Sequence, residues 1–143
     1  METVERTVTL PTTIEEVWAL LTRPDDLAAW LGAEVLLEPF AGAPGHVVDH
    51  DGSRRALVVE EVVQDHRLSW RWWREGEPVD ASRVEITLAP TVDGTVLQVV
   101  EHPIQGHHAA PGGRGPQASA SSAWSHRLLH LEALLLLAAA VRG

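Results

Sequence analysis

The residues of this chain whose types and spacing could do chemistry are a pair of tryptophans, one glutamate and a scatter of histidines. Strand alternation from Leu68 puts Trp70 and Trp72 on one face and Trp73 on the other. A second alternation through Leu97 and Val99 brings Glu101 inward beside His102. Two indoles and a carboxylate facing one space suit a flat, largely apolar ligand with one polar group. The competing reading is structural: the tryptophans fill a core, and Glu101 sits solvated at a strand end, because acids are rarely buried unpaired. His126 and His130 are one helical turn apart, a spacing that can hold a metal. Arg-Leu-Leu-flanked as they are, they lack the glutamate of a zinc-protease helix, and no metal is expected. His46 and His50 share a strand face with the same low expectation, and His107-His108 lies among small residues and reads as solvated.

Other reaction classes find no footing. There is no Gly-x-Ser-x-Gly elbow, and the serines of 119–125 read as helix-capping residues. The carboxylate pairs Glu15-Glu16, Asp25-Asp26 and Glu60-Glu61 are adjacent and point apart, so no glycosidase arrangement follows. Gly112-Gly113-Arg114-Gly115 lacks the preceding strand and the lysine of a phosphate loop, and no cofactor is expected.

The elements that must position these residues are legible from periodicity. Thr3 to Leu10 alternates as a strand and ends at Pro11. Thr13-Ile-Glu-Glu16 is a capping box opening a short amphipathic helix, and Pro24 with Asp25 and Asp26 opens a second that Gly32 closes. Strands are expected over Ala33–Glu38, His46–His50, Arg54–Val63, His66–Arg74, Ala81–Leu88 and Thr95–His102, joined by short turns such as Asp51-Gly52 and Asp93-Gly94. Short connections make this an antiparallel meander of about seven strands. The stretch 103–122, rich in Gly, Ala, Pro and Ser, is expected to be a flexible link. Ala123 to Val141 then reads as a core helix, with Ser121 or Ser122 at its cap and Arg142-Gly143 at its end.

With 143 residues the chain is expected to be one domain. It has no cysteine, which removes disulfides, thiolate metal sites and a cysteine nucleophile. Its net charge is −9 and its 11 basic residues are all arginine, a balance that repels phosphate backbones, so nucleic acid is not an expected partner. The opening residues carry no signal-peptide core, and the apolar run 133–141 is short of the roughly 20 residues a bilayer needs, so a cytoplasmic protein without a membrane partner is expected.

The order of elements, together with particular words, resembles the helix-grip fold of the START-like superfamily, also called SRPBCC. Within it the chain is most similar to bacterial proteins related to the C-terminal domain of the activator of heat-shock-protein ATPase. The matching words are Pro11 with Ile14-Glu-Glu-Val-Trp18, Leu21-Thr-Arg-Pro-Asp25 with Leu27 and Trp30-Leu31, Val62 with Arg67-Leu68-Ser-Trp70, Ser82 to Leu88, Gly94-Thr95 with Leu97, and Ala123-Trp124 with His126, Leu128 and Leu131. Where the family often carries a Gly-Gly-x-aromatic turn, this chain has Ala43-Pro44-Gly45-His46. The resemblance implies an α+β architecture: a curved antiparallel sheet wrapped around a long C-terminal helix, with two short helices after the first strand and an apolar cavity between sheet and helix. On that implication the cavity lining is Trp70, Trp72, Ile86, Val99, Glu101, Trp124, His126 and Leu128. The leading expectation is binding of a small apolar, aromatic or polyketide-like molecule without cofactor. A cyclase or dehydratase in the same cavity and a co-chaperone-like interaction module are the alternatives. The apolar run 134–137 also allows a homodimer through the helix face the sheet leaves bare.

Overall fold

The structure, a computed structural model, describes residues 3–104 and 116–142. The chain runs β1 (Val4–Leu10), α1 (Ile14–Thr22), α2 (Pro24–Trp30), β2 (Glu34–Leu36), β3 (Pro44–Val48), β4 (Arg54–Val63), β5 (Arg67–Arg74), β6 (Glu77–Thr91), β7 (Gly94–Pro103) and α3 (Pro116–Arg142). The seven strands form one antiparallel sheet in the order β1-β7-β6-β5-β4-β3-β2. The meander is consecutive from β2 to β7, and β1 closes it by pairing with β7 from Val4 opposite Glu101 to Leu10 opposite Thr95. The sheet curls, and α3 lies along its concave side, in contact with β1 and α2. This is the α+β helix-grip arrangement implied by the resemblance.

Local chemistry explains the short helices. Thr13 caps α1 by accepting a hydrogen bond from the Glu16 amide at 3.2 Å, while the Glu16 carboxylate takes the Thr12 hydroxyl at 2.7 Å. Pro24 occupies the first turn of α2, where its missing N–H is no loss, and Asp25 and Asp26 sit at the positive end of the helix. The two helices are locked together by Trp30, whose indole N–H donates to the Leu20 carbonyl at 2.8 Å.

Two glycines answer a demand for close approach. A Cβ on Gly45 would stand 2.1 Å from the Leu36 carbonyl oxygen, so the β2–β3 pairing needs the bare backbone there. Gly94, at φ +147, would put a Cβ 2.1 Å from the Leu10 carbonyl oxygen. In Ala43-Pro44-Gly45-His46, where the family's two glycines are replaced by Ala43 and Pro44, it is Gly45 that the close approach of β2 requires.

The boundaries differ most from expectation at two places, besides a shorter β2 and a β3 shifted by two residues. Strand β6 extends from Glu77 to Thr91, beyond the expected Ala81–Leu88, because pairing to β5 on one side and to β7 on the other carries it through residues whose own pattern is weak. Helix α3 starts at Pro116, ahead of the expected Ala123, so Ser121 and Ser122 stand inside the helix and do not cap it. A proline in the first turn and the alanines after it suit a helix start, and the weight of small residues had read as a link. The remainder of that expected link, 105–115, lies outside the described residues, as does His107-His108.

Candidate functional site

Sheet register gathers one set of side chains on the concave face. Trp72 stands opposite Ser82 across β5 and β6, Val84 stands opposite Glu101 across β6 and β7, and Ile86 stands opposite Val99. Ser82 and Glu101 are therefore diagonal neighbours on one face, within reach of each other. Helix α3 brings Trp124 down onto them from above. Trp70, Trp72, Trp124, Ile86 and Val99 are all at most 1% exposed, and Glu101 and Leu128 are 7% exposed.

Glu101 is the hub. Its Oε2 accepts from Trp72 Nε1 at 2.7 Å and from Ser82 Oγ at 2.5 Å, and its Oε1 accepts from Trp124 Nε1 at 2.8 Å. A carboxylate is removed from water here because neutral N–H and O–H groups replace its hydration, the condition on which a buried charge is tolerable. The three bonds also tie β5, β6, β7 and α3 together at one point.

Behind the indoles lies a cation. The Arg127 guanidinium sits 5.2 Å from the Trp72 ring centroid and 4.9 Å from that of Trp124, the two rings being 6.1 Å apart. Its Nε donates to the Leu31 carbonyl at 3.0 Å and its second terminal nitrogen to Asp49 Oδ1 at 2.9 Å. Burial lowers the Arg127 pKa from its ordinary value, against which the neighbouring Asp49 carboxylate acts. Arg55 lies on the same Trp72 ring at 4.7 Å, with its Nε 3.5 Å from Asp49 Oδ2. Indoles that donate to Glu101 gain electron density on their faces, and the two arginines occupy those faces; each contact strengthens the other. Asp49 and Glu101 balance Arg55 and Arg127 in charge.

Of the expected lining, Trp70, Trp72, Ile86, Val99, Glu101, Trp124 and Leu128 lie together in this interior. His126 does not. It is exposed, because the buried stripe of α3 runs Trp124, Arg127, Leu128, Leu131, Leu135 and leaves His126 on the solvent side with Leu129 and His130. His130 instead meets His50, ring centroids 6.1 Å apart. His46 pairs with Glu34 at 2.9 Å, and no group of three or more metal-ligating side chains occurs among the described residues. Sequence reasoning missed Arg127, Arg55, Asp49 and Ser82. A signal existed for two of them: Arg127 interrupts an apolar helical stripe, and Arg55 continues the inward alternation of Leu57 and Val59. Asp49 had none, since a turn residue's partner across the sheet is not written locally.

Among the described residues the interior is closed by its own side chains. Two clefts lie elsewhere, one of about 560 Å³ between Pro11–Glu15 and Pro90–Gly94 and one of about 250 Å³ beside Thr7, Thr87 and Gln98. No described helix is long and apolar enough to cross a membrane.

A curled antiparallel sheet gripping a C-terminal helix, with an aromatic and charged cluster held between them, defines a START-like protein of a kind compatible with ligand binding. The chain belongs to the family of Activator of Hsp90 ATPase homolog 1-like proteins, whose model matches residues 11–136. Among solved structures it is similar to protein MLL2253 from Mesorhizobium loti, at 26% identity and a TM-score of 0.81, over 93% of this chain and 96% of that one. It is also similar to DynU16, a protein from the dynemicin biosynthetic locus, at 25% identity and a TM-score of 0.77. That likeness covers 94% of this chain but 47% of DynU16, so this chain spans about half of it. The Aha1 dimer from Colwellia psychrerythraea shares the fold at 15% identity and a TM-score of 0.78, over 94% of this chain and 96% of that one. No curated protein matches the chain in sequence.

Proposed function

We propose that this protein binds a small, flat, largely apolar molecule between the sheet and α3, without a cofactor and without turnover. The observation that carries the reading is the composition of the interior. A core serving packing alone gains nothing from holding an arginine and an acid among its tryptophans, with a second such pair half-buried beside them, since apolar residues of the same volume are commonly as stable or more so. Access is by way of Arg55, the most exposed member of the cluster with 21% of its side chain in solvent. Its departure from Trp72 frees an indole face for a flat ring. Glu101 acts as a positioning residue, because donors already occupy both of its oxygens, and this favours binding over the acid–base chemistry of a cyclase. The likeness to DynU16, a protein of the dynemicin biosynthetic locus, supports a small-molecule ligand.

The test is native mass spectrometry of the protein as purified, followed by tryptophan fluorescence titration with aromatic and polyketide-like compounds. A co-purifying small molecule, or saturable quenching that Trp72→Phe weakens, is the expected result. No bound mass and no quenching by any compound refutes it.

A second reading concerns assembly. Leu129 and Leu136 lie on the outer face of α3, 61% and 66% exposed, one heptad apart. With the dimeric Aha1 relative from Colwellia, this supports a homodimer through that face, still in the cytoplasm. Light scattering that gives a dimer mass, converted to a monomer mass by Leu129→Glu, is the expected outcome; a monomeric wild type refutes it.

A further inference from the structure

The buried tryptophans are not equivalent. Trp30 donates to the Leu20 carbonyl, and Trp72 and Trp124 donate to Glu101. Trp70 is 0% exposed, yet its Nε1 has no hydrogen-bond partner among the described residues. Buried indoles nearly always find an acceptor, so an orphan among satisfied indoles asks for one. Its cross-strand neighbours cannot provide it: Trp70 stands between Val59 of β4 and Val84 of β6, whose side chains carry no acceptor, and its ring and that of Trp72 meet in a T-shaped arrangement, centroids 5.7 Å apart at 75°. Packing uses the area of the rings and not the N–H, so the indole nitrogen is surplus to packing.

We propose that Trp70 Nε1 reads a hydrogen-bond acceptor oxygen on the ligand, which makes the ligand a flat apolar molecule bearing a ketone or similar carbonyl. This rests on the ligand-binding reading above and narrows it, since a pure hydrocarbon leaves Trp70 as it is. The carbonyl lies at the Trp70 end of the site, and the ring system extends toward Trp72, onto the indole face that Arg55 covers and vacates. The carbonyl needs no proton from the protein, and no bond is made or broken.

The experiment uses a matched pair, fluorene and its ketone fluorenone, with calorimetry for affinity and isotope-edited NMR of the indole N–H groups, Trp70 being assigned through Trp70→Phe. Fluorenone is expected to bind roughly tenfold more tightly than fluorene, the worth of one buried neutral hydrogen bond. It is also expected to shift the Trp70 indole resonance downfield, which fluorene leaves in place. Trp70→Phe should lose the preference for the ketone, the two compounds then binding it equally. Binding of both compounds with equal affinity, or of fluorenone with no movement of the Trp70 resonance, overturns the carbonyl assignment and leaves the ligand reading standing. Binding of neither overturns both. The resonance is read in the wild-type protein, so the result survives a variant that does not fold.

Discussion

Replacing Glu101 by glutamine tests the reasoning behind the whole interior. The carboxylate accepts three hydrogen bonds, from Trp72, Ser82 and Trp124. A glutamine side chain has one acceptor oxygen and one NH2 group, which can only donate. The Ser82 hydroxyl can rotate to accept, but neither indole can, so in either amide orientation one indole N–H faces a donor. Leaving a buried donor unsatisfied costs about 1–3 kcal/mol. The substitution also removes the negative charge that stands behind the indoles carrying Arg127, which adds to the loss, while the lower desolvation of an amide offsets part of it. For a chain near this size each kcal/mol moves Tm by about 2–4 °C, so Glu101→Gln should lower Tm by roughly 3–10 °C. Thermal unfolding followed by circular dichroism checks this. A cycle with Trp124→Phe locates the fault: where the amide faces Trp124, the double variant should lose less than the sum of the singles by about 1 kcal/mol. A glutamine variant as stable as the parent would show that the three donors have other acceptors, and the hub would have to be abandoned.

Three other outcomes follow from the same geometry. Arg127→Met should cost about 2–4 kcal/mol in urea unfolding, since it strips the Leu31 carbonyl of its donor and leaves Asp49 with Arg55 and the Ser53 hydroxyl, and Arg127→Lys should not restore it, because an ammonium cannot lie flat against two rings. Gly45→Ala should lose at least about 2 kcal/mol, and amide exchange should rise first along β2, because its Cβ would meet the Leu36 carbonyl oxygen and not a movable side chain. Glu60, the extra residue of a bulge in β4, accepts from Arg83 Nε at 2.5 Å, and this bond holds its pKa below the ordinary 4.5. A depressed carboxylate stabilises the fold fully above pH 4.5 and ceases to do so as the pH falls through its lowered value. Glu60→Gln should therefore cost up to about 1 kcal/mol at pH 7 and progressively less as the pH falls below 4.5, a trend read from paired denaturation curves.

The sequence by itself determined the elements and their faces. Period-two alternation placed Trp70 and Trp72 on one side, Trp73 on the other, and Val84, Ile86, Leu97 and Val99 inward, and these are the buried residues. Capping at Thr13 and Pro24 set the two short helices, because caps act through bonds a few residues long. Even the inward turn of Glu101 was readable, since alternation does not depend on residue type. Its burial was not readable, nor was its role. Whether an acid at a strand's end is solvated or enclosed depends on Trp72 and Trp124, which lie 29 and 23 residues away and reach it only once β5, β7 and α3 are packed. The same holds for Arg127 and Asp49, 78 residues apart. For His126 the helical phase itself decides: the sheet-facing stripe through Trp124, Leu128, Leu131 and Leu135 is the buried one, and His126, two residues from Trp124, falls on the other side of the helix. Local pattern decides which residues share a face; only the packed structure decides which faces meet and which polar atoms are left without a partner.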